Sequence, residues 1–234
     1  MLKINDLAFG YTKRNDFFTH LTLELNQPGI YGLLGKNGSG KTTLLKIIAG
    51  LLFPKQGTCE IMGQRPALRQ PDFLNKIYFL PEDLFVPALT AHDYVKFYAP
   101  FYPKFDFIFL NQCLKEFDLP QDKLLTTFSH GQKKKFLISF GLATQCQLLI
   151  LDEPTNGLDI PSKSQFRKLV ASAITDEKLF IISTHQVHDV ENLIESVLIL
   201  EEGNIIYNQR LNDHEEHIDL EVLFNSVLEN NKGK

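Results

Sequence analysis

Ile30-Tyr31-Gly32-Leu33-Leu34-Gly35-Lys36-Asn37-Gly38-Ser39-Gly40-Lys41-Thr42-Thr43-Leu44-Leu45 carries three textures in succession. Ile30 to Leu34 is a short, nearly continuous apolar run, as expected of a strand buried on both faces. Gly35 to Thr42 fits GxxxxGK[ST] at every position. Leu44, Leu45, Ile47 and Ile48 then recur with helical spacing, which predicts a buried helix over Thr42 to Leu52. Glycines at these positions let successive backbone N–H groups turn inward, and a helix N-terminus behind them favours anions. The loop therefore predicts a polyphosphate cradle. Lys41 supplies a point charge for the β and γ phosphates, and the Thr42 hydroxyl is placed for Mg²⁺.

Upstream, Leu2, Ile4, Leu7 and Phe9 suggest one strand, and Leu21, Leu23 and Leu25 alternate as a second. Downstream, Thr58 to Met62 and Ile77 to Leu80 are further short strands. Residues 83 to 146 change character and predict an inserted α-helical lobe, with a helix over Asp106 to Phe117 and an aromatic run from Phe97 to Phe109 as its core. Strand texture returns in Leu148-Leu149-Ile150-Leu151, which delivers Asp152 and Glu153 to the strand end where open α/β sheets place ligands. Asp152 suits Mg²⁺ and Glu153 suits a general base. Helix near Ser162 to Thr175, strand Leu179 to Ser183, helix near Val187 to Ile194 and strand Val197 to Leu200 complete the alternation. The fold class is α/β: a mostly parallel sheet covered by helices. Residues Asn230 to Lys234 read as a polar, frayed end.

Composition narrows the function. The chain has 234 residues, 44% hydrophobic and 22% charged, with 24 basic against 28 acidic side chains and a net charge of −4. That excludes disorder over most of the chain and argues against a general electrostatic grip on nucleic acid. No apolar stretch reaches the ~20 residues of a membrane span, and the N-terminus lacks a signal-peptide pattern. Cys59, Cys113 and Cys146 read as reduced, buried thiols. Lys133, Lys134 and Lys135 read as a solvated helix face. The His185/His188 and His214/His217 pairs have superficially metal-like spacing, with no further ligand cluster to support them.

With these residues in hand, the chain resembles the ATP-binding cassette (ABC) family. Phe128-Ser129-His130-Gly131-Gln132 is similar to its signature, usually LSGGQ. Pro154 to Asp159 matches the family's D-loop region, Ser183-Thr184-His185 its switch histidine, and Tyr11 the aromatic ring stacked on adenine. The resemblance implies one ATP-binding domain over residues 1–234, of the P-loop NTPase fold, with the 83–146 lobe inserted and an antiparallel β region at its N-terminus. It implies ATP and Mg²⁺ as cofactors, with ATP held by Tyr11, Gly35, Lys36, Asn37, Gly38, Ser39, Gly40, Lys41, Thr42 and Thr43. Glu153 and His185 are then catalytic, and Thr42, Asp152 and Glu82 serve Mg²⁺. Ser129, Gly131 and Gln132 reach the partner's nucleotide in a head-to-tail dimer, and Asp159 links the two sites.

The resemblance further implies a second cassette subunit and an integral membrane permease on another chain, with this chain on the cytoplasmic face and no nucleic-acid partner. The alternative is a soluble ABC ATPase acting on the ribosome or nucleic acid. One phosphate loop and no heptad tract weigh against it. Two departures stand out. Leu80-Pro81-Glu82 occupies the place of the family's glutamine, and His130 replaces the first signature glycine. Leu-Pro-Glu, with Tyr102-Pro103-Lys104-Phe105-Asp106, is most similar to the branch that powers bacterial exporters of antibiotics.

Overall fold

The computed structural model describes residues 1–12, 16–211 and 219–232. Strands β1 (Leu2–Phe9), β2 (Phe18–Leu25) and β3 (Gly29–Leu34) lead into α1 (Lys41–Ile48), β4 (Gln56–Ile61), the single-turn α2 (Pro71–Leu74) and β5 (Ile77–Leu80). Three helices follow: α3 (Ala91–Tyr98), α4 (Phe107–Glu116) and α5 (His130–Ala143). The remainder is β6 (Leu148–Asp152), α6 (Ile160–Ala173), β7 (Leu179–Thr184), β8 (Ser196–Glu201), β9 (Asn204–Arg210) and α7 (Leu220–Lys232).

The strands form two sheets. One is antiparallel, in the order β2-β1-β4; the other runs β5-β6-β7-β3-β8-β9 and is parallel except for β9. Alternation explains the continuous apolar runs. Ile30 and Leu34 of β3, Leu149 and Leu151 of β6, and Phe180 and Ile182 of β7 face a core shared with α5 and α6. Tyr31 and Leu33, Leu148 and Ile150, and Leu179 and Ile181 face a second core shared with α1 and the antiparallel sheet. Each fully buried Leu or Ile contributes roughly 1.5–3 kcal/mol, so a one-residue slip in any central strand would exchange both cores at once.

The parallel register gathers the strand ends. Leu34 lies opposite Thr184, and Asp152 opposite Ser183. The segments leaving β3, β6 and β7 therefore emerge along one edge.

The lobe between β5 and β6 is helical, as the sequence suggests. Thr90 caps α3 by accepting from Asp93 N (3.1 Å), and Asp106 caps α4 by accepting from Phe109 N (2.9 Å). Its core is not simply the aromatic run. Phe97, Phe101 and Phe107 are exposed, while Phe136 and Phe140 of α5 are buried and meet the rings of Tyr94 and Phe105. The run breaks at Pro100 and Pro103, so its rings cannot share one face.

Other expectations are corrected. The helix expected to Leu52 ends at Ile48, ahead of Gly50. Val187 to Ile194 contains only a 3₁₀ turn, Val187–Asp189. Asn230 to Lys232 belong to α7 rather than a frayed end. The three cysteines are buried and unpaired, and burial pushes each thiol up to about 12. Among the described residues, no helix is long and apolar enough to cross a membrane, and no group of three metal-ligating side chains occurs. His214 and His217 lie outside the described residues.

Candidate functional site

Gly35 follows the last residue of β3, and the loop closes at Gly40, the N-cap of α1. Gly40 sits at φ +107°, and a Cβ there would lie 2.3 Å from the Phe17 ring, so only glycine fits. Where α3, α4, α5 and α6 have side-chain caps, α1 has none. No acidic side chain stands in its first turn either. The first N–H groups of α1 are thus left to a ligand, and the helix dipole favours an anionic one.

Lys41 is buried, and its ammonium donates to the carbonyls of Gly35 (2.7 Å) and Lys36 (3.3 Å). The same ammonium lies 3.6 Å from Glu153 Oε1. Glu153 follows β6 directly, in the left-handed region at φ +47°. Its N–H reaches Ser183 Oγ (3.0 Å), and its Oε1 lies 3.0 Å from His185 Nδ1. The carboxylate of Glu153 therefore stands between the loop lysine and the switch histidine.

Asp152 is completely buried. Its Oδ1 accepts from Ser183 Oγ at 2.5 Å, and its Oδ2 has no hydrogen-bond partner; nor does Glu153 Oε2. A buried, unpartnered carboxylate oxygen is costly unless something completes it. These hard oxygen donors, with the Thr42 hydroxyl nearby on the cleft wall, fit Mg²⁺.

A cleft of about 550 Å³ joins most of the expected residues: Tyr11, Lys36, Asn37, Gly38, Gly40, Lys41, Thr42, Thr43, Glu82, Glu153 and His185 line it. Tyr11 is 67% exposed, stands edge-on to Phe9, and shares a hydrogen bond with Thr43 Oγ1 (2.9 Å). Glu82 Oε1 accepts from Asn156 Nδ2 at 3.2 Å. Ser39 is buried in the loop with an unpartnered hydroxyl.

The expected trans residues stand elsewhere, at the start of α5. Ser129 is its N-cap: Oγ accepts from Gln132 N (3.2 Å), and Gln132 Oε1 accepts from Ser129 N (3.0 Å). This capping box leaves the Ser129 hydroxyl proton for another acceptor. Asp159 caps α6 by accepting from Ser162 N (2.9 Å), and the Ser162 hydrogen bonds hold its carboxyl below its usual range.

The sequence reading missed three groups. Phe17 and Asn156 line the cleft. Lys134 was expected in solvent but is 1% exposed, and its ammonium donates to the carbonyls of Glu153 and Asn156, both at 2.9 Å. The signal was present: Lys134 precedes Leu137, Ile138 and Gly141 at helical spacing, on the buried side of α5.

This strand–loop–helix cradle, with a carboxylate strand beside it and a signature helix at a distance, defines a nucleoside triphosphatase of the cassette type. The family described as ABC transporter matches residues 18–156, and the chain belongs to that family. It is 33% identical over 212 residues to the bacitracin transport ATP-binding protein BcrA of Bacillus licheniformis, covering 88% of this chain and 68% of that one. It is 31% identical over 230 residues to the lantibiotic transport ATP-binding protein SrtF of Streptococcus pyogenes, covering 97% of each. Among solved structures, an ATP-binding subunit of an ABC transporter shares the fold at TM-score 0.85 and 24% identity, over 97% of this chain and 99% of that one. A dimeric ATP-binding cassette in a post-hydrolysis state, bound to ADP and Pi, does so at 0.76 and 22%, over 91% and 99%. The chain is an ATP-binding and ATP-hydrolysing subunit of the ABC transporter class, whose cassettes pair with one another and serve membrane permeases.

Proposed function

We propose that this chain closes on ATP as a head-to-tail dimer and thereby drives export through a permease carried on another chain. The observation that carries the reading is the placement of Glu153 between Lys41 and His185 in the cleft. ATP enters with its phosphates on the Gly35–Thr43 loop and its adenine against Tyr11. The Lys41 ammonium exchanges its loop carbonyls for β and γ oxygens. Glu153 takes the proton of the attacking water as its oxygen adds to the γ-phosphorus, and the bond from that phosphorus to the β–γ bridging oxygen breaks, so that ADP leaves and inorganic phosphate remains. His185, with Nδ1 3.0 Å from that carboxylate, fixes its orientation and contacts the γ-phosphate. Thr42, Asp152 and Glu82 are the residues that would hold Mg²⁺, whose charge would offset that of the phosphates.

The second nucleotide contact comes from the partner. At the start of α5, Ser129 presents a free hydroxyl proton and Gly131 a helix N–H group to the partner's γ-phosphate, while Gln132 holds the Ser129 hydroxyl in place through the capping box. Asp159 sits where the two sites would communicate. Residues 83–146 form the lobe of a single domain spanning 1–234, and the exposed aromatic rings of that lobe suit a permease contact. A relative named for peptide export supports the export direction, relatives named for bacitracin and lantibiotic transport support a transport role, and the cytoplasmic face of the membrane is part of the same proposal.

The test is Glu153→Gln. The amide cannot accept the water's proton, so ATP remains bound and turnover is lost. Size-exclusion chromatography with Mg-ATP should then show a persistent dimer where the parent is mainly monomeric. Unchanged turnover would remove Glu153 from the base role.

A further inference from the structure

The turn that aims Glu153 is held from below by a side chain of another element. Glu153 is a non-glycine residue at φ +47°, a backbone state that costs roughly 1–3 kcal/mol and persists only where the surroundings fix it. Its N–H is engaged by Ser183. Its carbonyl is engaged by Lys134 Nζ at 2.9 Å. The same ammonium takes the carbonyl of Asn156 at 2.9 Å, so one charge spans both ends of the Glu153–Asn156 turn. Asn156 in turn reaches Glu82 across the cleft.

Lys134 stands on α5, five residues after Ser129, three after Gly131 and two after Gln132. A second contact joins the same two segments. A Cβ on Gly131 would lie 3.3 Å from the carbonyl oxygen of Gly157, so the helix start and the loop after Glu153 approach at backbone level. We propose that Lys134 is a positioning residue that ties the signature helix to the Glu153 turn, so that closure of the signature on the partner's nucleotide sets the carboxylate of its own site. The proposal rests on the reading of Glu153 as the proton acceptor.

A merely structural lysine is the competing account, and the physics is against it. Removing an ammonium from water is expensive, and an apolar side chain would fill this position on α5 at lower cost. Burial depresses the Lys134 pKa, opposed by the carboxylates of Glu82, Glu153 and Asp152. The amine thus sits against a desolvation penalty, among the acids of the cleft. Two directed donor contacts to one turn are what it provides in return.

The experiment compares Lys134→Met, Lys134→Gln and Lys134→Arg in the full chain with Mg-ATP. The carboxylate should shift without loss of the phosphate loop, so Lys134→Met should bind ATP as the parent does. Its kcat should fall roughly 10- to 100-fold, as an ångström-scale misplacement does. Lys134→Arg, with two donors on one planar head, should recover most of that loss. If Lys134→Met does not fold, Lys134→Gln carries the same comparison with a shorter, uncharged donor. Parent-like kcat in the Met or Gln variant overturns the proposal, as does a proportional loss of binding and turnover. Glu153→Gln, measured alongside, separates the causes. If it is inactive while Lys134→Met is fully active, only the coupling fails; if it stays active, the reading of Glu153 fails and the coupling falls with it.

Discussion

Ser183 links the two carboxylates of the site, and Ser183→Ala tests how much that link contributes. In the parent, Ser183 Oγ donates to Asp152 Oδ1 at 2.5 Å and accepts from Glu153 N at 3.0 Å, with both Ser183 and Asp152 at 0% exposure. Alanine is nearly isosteric, so cavity terms are small. The Glu153 N–H retains the Ser183 backbone oxygen at 3.2 Å, so its loss is partial. Asp152 fares worse: its Oδ2 is already unpartnered, and Oδ1 would lose its side-chain donor too. Losing a buried hydrogen bond to a charged group costs about 1.5–3 kcal/mol. At ~2–4 °C per kcal/mol for a chain of this size, the melting temperature should drop by about 3–12 °C. Differential scanning calorimetry of the nucleotide-free chain reads this directly. Mg-ATP should recover part of the loss, because metal at Asp152 offers the orphaned oxygen a new partner. A shift below ~1 °C would refute the idea that Ser183 stabilises Asp152.

Two further outcomes are expected. Glu82→Gln should stay folded, keep substantial turnover and bind metal-free ATP more tightly, because it removes a negative charge beside the triphosphate; titrations with and without EDTA check this, and identical metal dependence would place Glu82 outside the site. His188 should confer a pH dependence on the docking of α7, since Nδ1 faces Glu191 (3.4 Å) and Nε2 faces Glu221 (2.6 Å), which raise its pKa above 6.5. The stabilisation is therefore complete below the unfolded value of 6.5 and is lost as pH climbs from there through the raised folded-state value. The protection of α7 amides relative to their intrinsic exchange rates should therefore fall toward alkaline pH in the parent, and that fall should vanish in His188→Gln.

The parts legible in the sequence share a physical cause. β3, β6, β7 and β8 are buried on both faces, so each had to be written as an uninterrupted apolar run. The phosphate loop, the carboxylates and the switch histidine follow those strands directly, and their positions came with them. β9 was not legible because it is an edge strand with Asn and Gln along it, exposed or half-buried throughout. α7 was obscured by its polar end, although Leu220 and Leu228 bury against the larger core. The expected helix after His185 gave way because Lys163 and Arg167 of α6 hold Asp189 by its carboxylate and its carbonyl. Lys134 was misread for a different reason: residue type was given more weight than helical phase.

The placement of β3 has a consequence for the order of events during synthesis. Its neighbours in the sheet are β7 and β8, which begin at Leu179 and Ser196. A chain emerging from the ribosome therefore exposes the strand beneath the phosphate loop long before either flank exists. Such distant pairing slows folding and leaves an apolar segment uncovered. Nascent chains halted before Leu179 should not retain ATP, since the loop has no completed strand to stand on. Those extended beyond Glu201 should acquire binding in a single step.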